Sequence, residues 1–343
     1  MTSLCESASC ERTDPDLAHA SVAAGQAIAR ASGSAAAARV AQSLCLCCET
    51  LVRSRWPEVA WRFSGLTMDG SPLEFTFSSA DHDMRFTVDV APAECGNHER
   101  IAAACDLAAL LGHEGPDAED LFRWSQMQRS QKLSWGARLG VRESGERQRI
   151  KYYLEVPFEA QASIRKKINP PLNDSIAVMI GCDPESSATE YYFRQQKLSK
   201  MEFDRLLCGV DGDRTPNGMR DAVEQLCGMP IASALEWICF GYSLVVEKQS
   251  APAHLTLFVR CQAIGGADRA RQRMLRWMPD SIKERSLYSR LMADLPKDEV
   301  PDHGVISLSS RASGNPEMRV GLSCTALSGL LRRACVDERQ STS

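Results

Sequence analysis

Five times along the chain, two runs of alternating apolar and polar residues bracket a short stretch rich in Gly, Pro, Ser, Asp or Asn. No other feature restricts the fold as much, because a period of two closed by turn residues is the signature of an antiparallel hairpin. The pairs are PLEFTFSS and MRFTVDV about ADHD, WGARLGV and IKYYLEV about RESGER, and SIAVMIG and TEYYFRQ about CDPESSA. CFGYSLVV and HLTLFVR about EKQSAPA, then VISLSS and EMRVGLS about RASGNP, complete the set. Helical spacing fills the intervals. It runs from Asp14, an N-cap before Pro15, to about Val52, then through HERIAAACDLAALL and DAEDLFRWSQM, whose acidic first turn suits a helix start. MEFDRLL, MRDAVEQLC, DRARQRMLRWM, SIKERSLYSRLMADL and CTALSGLLRRAC follow. Turn centres near residues 80, 145, 186, 250 and 312 stand roughly 65, 41, 64 and 62 residues apart, the rhythm of a repeated helix–hairpin–helix unit.

The polarity of the alternation says how the units assemble. Leu73, Phe75 and Phe77 oppose Glu74, Thr76 and Ser78; Met84, Phe86 and Val88 oppose Arg85, Thr87 and Asp89. Ile150, Tyr152 and Leu154 oppose Lys151, Tyr153 and Glu155, and Met318, Val320 and Leu322 oppose Arg319, Gly321 and Ser323. Helices must cover the apolar face. An open α+β sheet with its polar face in water is one arrangement. It leaves two edges unpaired, which closure removes, and its wet face would carry many Lys, Glu and Thr residues. This polar face instead carries Gly136, Gly140, Gly181, Gly241 and Gly321, which suit space for a ligand. The expectation is a ten-stranded antiparallel barrel of five αββα repeats, helices outside, with a lumen wider than side chains alone fill. Residues 1–13 and 337–343 read as frayed tails around one barrel domain, 14–336.

A net charge of −4 offers no basic field for a nucleic-acid backbone. Charged residues interrupt every apolar run before a membrane-spanning length, and the first residues lack a signal-peptide pattern, so a cytoplasmic location is expected. In that reducing setting the 14 cysteines read as small apolar residues; Cys45 and Cys48 have metal-like spacing but no second pair or nearby histidine. No DDxxD pair, GxGxxG, P-loop, G-x-S-x-G or HExxH sequence occurs, so no metal or cofactor is expected to be required.

What the polar face does carry is a set of cations: Arg85, Arg138, Lys151, Arg194, Arg260 and Arg319 fall on it, interleaved with Tyr153, Tyr192 and Phe258. Such a set can hold a polyanionic leaving group and shield an allylic cation. Pro72-Leu73-Glu74-Phe75-Thr76 on the first strand, Arg85 on the returning strand, and Lys151-x-Tyr153 preceded by Arg138 thirteen residues earlier resemble the motifs of ABBA-type, or PT-barrel, aromatic prenyltransferases, in the dimethylallyltryptophan synthase branch. The resemblance implies that Glu74 accepts the indole N–H as base or orienting group, and that Arg85, Arg138, Lys151, Arg194, Arg260 and Arg319 bind diphosphate. Tyr153, Tyr192 and Phe258 would shield the cation. It implies transfer of a dimethylallyl group from its diphosphate to an indole or tryptophan-type acceptor in secondary metabolism. Glu190, Thr256, Gly321 and Arg138 depart from the family pattern, where basic residues, a tyrosine and a lysine are usual. Three alternatives stay open: a peptide acceptor, as in cyanobactin-type relatives; a barrel that binds a small molecule without turnover; and, for Glu74, a cross-strand ion pair with Arg85.

Overall fold

The computed structural model describes residues 36–52, 63–81, 83–129, 131–144, 147–186, 188–209, 216–246, 254–283, 286–293, 303–310 and 316–323. All five hairpins form: β1 (Leu73–Ser78) with β2 (Met84–Asp89), β3 (Ala137–Ser144) with β4 (Arg147–Glu155), and β5 (Ala177–Cys182) with β6 (Thr189–Gln196). β7 (Phe240–Val246) with β8 (His254–Arg260) and β9 (His303–Ser309) with β10 (Glu317–Ser323) complete the sheet. Each hairpin pairs with the next, and β1 pairs with β10 from Glu74 opposite Ser323 to Ser78 opposite Arg319. The sheet is a closed barrel, not an open one. Because all neighbours are antiparallel, the five hairpin turns gather at one end, called the rim below. The connections to the helices leave from the other end, the floor.

Helices fill the intervals. α1 (Ala36–Val52) precedes the first hairpin, α2 (Arg100–Leu110) and α3 (Ala118–Gln128) the second, and α4 (Gln161–Ile168) the third. α5 (Lys200–Cys208), α6 (Pro216–Cys227) and α7 (Ile231–Trp237) precede the fourth; α8 (Gly266–Trp277), α9 (Asp280–Lys283) and α10 (Leu287–Ala293) precede the fifth. Local signals set several ends. Asp117 caps α3 by accepting from Asp120 N at 2.7 Å, and Ser199 with Glu202 forms a capping box on α5.

The hydrophobic core lies between barrel and helices. Leu73, Phe75, Phe86, Val88, Leu139, Tyr152, Leu154, Tyr242, Leu257 and Val320 point outward and are buried there. α1 turns Val40, Leu44, Cys47, Cys48 and Leu51 inward at helical spacing, so two of the clustered cysteines serve as small core residues. Ring pairs such as Phe75–Phe86, with centroids 6.2 Å apart, and Trp124–Tyr152, at 5.3 Å, knit this layer.

Several expectations need correction. β3 and β4 reach Ser144 and start at Arg147, past the limits that alternation suggests, because polar residues continue the ladder as far as Ser144 opposite Arg147. α4 and α7 have no counterpart in the helical spacing. SIKERSLYSRLMADL supplies two described helices in place of one, α9 and α10. The ends of the expected domain, 14–35 and 324–336, the closing CTALSGLLRRAC helix and both tails lie outside the described residues. No helix among the described residues is long and apolar enough to cross a membrane.

Candidate active site

The lumen holds a cavity of about 400 Å³. Eight of the ten site residues named from the sequence line it: Glu74, Arg85, Arg138, Lys151, Arg319, Tyr153, Tyr192 and Phe258. Arg194 and Arg260 do not. Both are exposed near the floor ends of β6 and β8, where the β6–β7 register shifts past Phe193 and β8 gives way to a 3₁₀ turn. Strand parity is right for them; height along the barrel is not.

Glu74 sits toward the floor. A Cβ at Gly304 would lie 2.8 Å from Glu74 Oε1, and one at Gly321 would collide with the carboxylate outright. Gly321, where the resemblance led to the expectation of a tyrosine, is therefore the niche for Glu74. Its carboxylate takes no hydrogen bond from any described residue, and the ion pair with Arg85 weighed above is not made. Burial pushes its pKa up to about 7 against the pull of Arg138, with Asp69 adding to the rise. A carboxylate unpaired and titrating near neutrality is equipped to accept a hydrogen bond from a ligand.

Beneath it lies a buried ionic stack. Arg138 Nε meets Asp89 Oδ1 at 3.1 Å, and Arg100 Nη1 approaches the same oxygen at 3.7 Å. The Trp135 ring lies 4.5 Å from the Arg138 guanidinium carbon, and Phe63 lies 5.5 Å from that of Arg100. Glu155 fixes the approach to β3 by accepting from the backbone N–H groups of Ser134, Trp135 and Gly136 at 2.9, 2.6 and 2.8 Å. Gly136 turns there at φ +69°, with the Asn97 carbonyl where a Cβ would go. Arg138 is thus held beside Glu74. Arg142 stands four residues further along β3, about 13 Å toward the rim at the usual strand rise.

The middle of the lumen is aromatic. Tyr153 meets Tyr192 edge-on at 6.0 Å between centroids, and Tyr192 meets Phe258 at 5.6 Å. Lys151 Nζ lies 5.6 Å from the Tyr153 centroid and 5.7 Å from that of Tyr192. The inner-face glycines make this packing. A Cβ at Gly140 would stand 2.7 Å from Tyr153 Cε2, and one at Gly181 would strike Lys151 Cε. Their space is occupied by the Tyr153 and Lys151 side chains, in place of the open ligand room expected from sequence.

At the rim every cation that lines the cavity on β2, β3 and β10 has a carboxylate partner. Arg85 Nη2 donates to Asp81 Oδ2 at 2.6 Å, and Asp83 and Glu317 each lie 3.8 Å away. Arg142 donates to Asp83 from Nε at 2.7 Å, and Arg319 donates twice to Glu317, at 2.8 and 3.0 Å. Lys151 pairs with Glu190, whose other oxygen accepts from Ser243. Burial alone would raise the Glu190 carboxyl, but Lys151 holds it below the usual range; burial and Arg319 lower Arg85. The simple basic cluster expected from sequence is instead an interleaved lattice of both signs. Arg142 and Arg149 also line the cavity, although alternation places Arg142 in the turn after β3 and leaves Arg149 outside the returning strand. Among the described residues no group of His, Cys, Asp and Glu has an arrangement suited to a metal ion.

No protein-family model and no curated protein matches the chain. Solved structures do. 5-Dimethylallyltryptophan synthase from Streptomyces coelicolor, in complex with DMASPP and Trp, superposes with a TM-score of 0.71 at 16% identity, covering 91% of this chain and 96% of that one. The prenyltransferase PriB, in a ternary complex with L-tryptophan and dimethylallyl thiolodiphosphate, gives 0.71 at 15%, covering 91% and 97%. AnaPT from Neosartorya fischeri gives 0.62 at 14%, covering 88% and 91%. This chain has their fold. The PT barrel expected from its hairpins and short motifs is the barrel observed, over nearly the full length of those enzymes.

Proposed function

We propose that the protein is an aromatic prenyltransferase that moves a dimethylallyl group from its diphosphate to an indole acceptor such as tryptophan. The observation that carries this reading is the placing of Glu74: an unpaired, largely buried carboxylate at one end of an aromatic-walled lumen whose other end gathers cations. The ligands bound by the neighbours of this fold, DMASPP or dimethylallyl thiolodiphosphate with tryptophan, fit the same division. Arg85, Arg319 and Lys151, with Arg142, hold the diphosphate through charge-assisted hydrogen bonds. The C–O bond breaks and its electron pair leaves with the diphosphate. Tyr153, Tyr192 and Phe258 flank the allylic cation, each ring contributing about 0.5–2 kcal/mol of cation–π attraction, while their bulk keeps water away. The indole N–H donates to Glu74, which orients the ring and raises its nucleophilicity as the new C–C bond forms. Arg138, a guanidinium with donors and no acceptor, is not a base for the ring proton. It orients Glu74, and the freed diphosphate serves as the proton acceptor. No metal or organic cofactor is required in this scheme, and activity should persist in a chelator.

The test is direct. Protein incubated with tryptophan and dimethylallyl diphosphate should yield a product heavier by one C5H8 unit, and Glu74→Gln should lose it. Absence of product with tryptophan, other indoles and tryptophan peptides alike would refute the catalytic reading.

A further inference from the structure

Resting on the diphosphate reading above, we propose that Asp81, Asp83, Glu190 and Glu317 select the donor by its charge. They hold the rim cations as built-in counter-anions, which a diphosphate displaces and a monophosphate or carboxylate does not. The four carboxylates come from three elements, the β1–β2 turn, β6 and β10, and alternate with Arg85, Arg142, Lys151 and Arg319. They form no separate acidic patch; each faces a cation that the donor also needs. They spare partly buried guanidinium and ammonium groups from standing uncompensated. They also set a threshold. An incoming anion gains an arginine only by lengthening an existing ion pair, and the displaced carboxylate stays nearby on its strand or tight turn and repels it.

A ligand with one or two charges gains little from that exchange. A diphosphate engages Arg85, Arg319 and Lys151 together, so several charge-assisted bonds form against the same set of repulsions. Arg85 Nη1 makes no hydrogen bond, its carboxylate neighbour Glu317 standing 3.8 Å away, so it is a donor that an added oxygen would satisfy without breaking a hydrogen bond. Discrimination built from repulsion against the wrong ligand is a general route to specificity.

The experiment is calorimetric titration of the full chain with inorganic diphosphate and, separately, inorganic phosphate. It compares the parent protein with Glu190→Gln, Asp81→Asn and Arg85→Ala, with circular dichroism confirming the fold of each. The two neutralising changes sit on different elements, so one misfolded variant leaves the other informative. Each should tighten diphosphate by about five- to tenfold, the scale of one screened charge–charge repulsion, and bring phosphate, which the paired cations of the parent protein turn away, into measurable binding. If both changes weaken diphosphate or leave both affinities unaltered, the carboxylates only organise the arginines and the proposal fails. If the parent protein binds no diphosphate and Arg85→Ala behaves the same, the diphosphate reading itself is wrong, a distinct outcome that removes the proposal with it.

Discussion

The two ends of one cavity are built on opposite electrostatic plans. At the rim, four cations and four carboxylates pair within hydrogen-bond reach, and Arg142 and Arg319 remain 42% and 33% exposed through their side chains. At the floor, Asp89, Arg100 and Arg138 are 1%, 3% and 7% exposed, while Glu74 above them has no hydrogen-bond partner among the described residues. Pairs that water can reach exchange partners readily, since each is worth little in isolation. Buried pairs do not, because breaking one strands a charge. The comparison teaches a division of labour. On the proposed reading the rim trades its counter-anions for a ligand's, whereas the floor is fixed and offers a single unpaired acceptor.

The strongest break in that comparison is at the floor. Glu74→Gln keeps the shape and removes the charged acceptor, so turnover should fall by about a thousandfold, the range expected for a positioned acid–base group. Affinity for inorganic diphosphate should barely change, because Glu74 stands at the other end. Gly321→Ala should mimic it without touching the carboxyl group, since the new methyl would occupy the place of the Glu74 carboxylate. Steady-state rates with titrations of the same samples check both; normal turnover in the Gly321→Ala variant would dissolve the niche argument.

Next in size is the buried stack. Asp89→Asn removes the shared partner of Arg100 and Arg138 and should cost about 3 kcal/mol of stability, measured as a lowered denaturant midpoint. The uncompensated cations should also draw the Glu74 pKa below its value of about 7, moving the acid limb of the rate profile downward. A purely structural role would lower stability and leave that limb in place. At the rim the effect is smaller. Arg319→Ala should weaken diphosphate by about thirtyfold, one charge-assisted bidentate contact, with stability nearly unchanged because Glu317 keeps Ser78 as a partner and Arg85 nearby.

The same contrast explains what could be read from the sequence. Strand identity and face were legible because alternation is local, and a residue such as Tyr153 or Phe258 needs only its parity to be placed in the lumen. Barrel closure was legible only through the argument about unpaired edges, since nothing near Glu74 announces that Ser323 lies opposite it across 249 residues of chain (323 − 74). Height in the barrel was not legible. Arg194 and Arg260 have the correct parity and stand outside the cavity, while Arg142 falls in a turn by pattern and Arg149 outside the returning strand, because a polar strand end resembles a turn. Nor were the partners: Asp81 and Glu317 pair with cations only four and two residues away, but Asp83 and Glu190 find theirs across strands, a juxtaposition that a one-dimensional pattern does not contain. α4 escapes notice because Ile164 is its one buried residue, too little for an apolar stripe.

The subtlest test separates the two ends by pH. A carboxyl group whose pKa rises from 4.5 to about 7 on folding binds its proton more tightly in the folded chain. The stability it contributes is fully present below pH 4.5 and fades as pH rises through 7. Its proposed use as an acceptor runs the other way, since only the ionised form receives a ligand's N–H without competition from its own proton. Between about pH 6 and 8 the acceptor-limited rate should therefore climb about tenfold while the contribution of Glu74 to stability declines. The rim predicts no such crossing: Glu190 is held below the usual carboxylate range by Lys151, so it stays ionised throughout that interval. In Glu74→Gln both trends should flatten together. Should the residual rate keep the same slope in that variant, the titrating group belongs to the rim or to the ligand, and the floor would lose its claim to be the end that responds to protons.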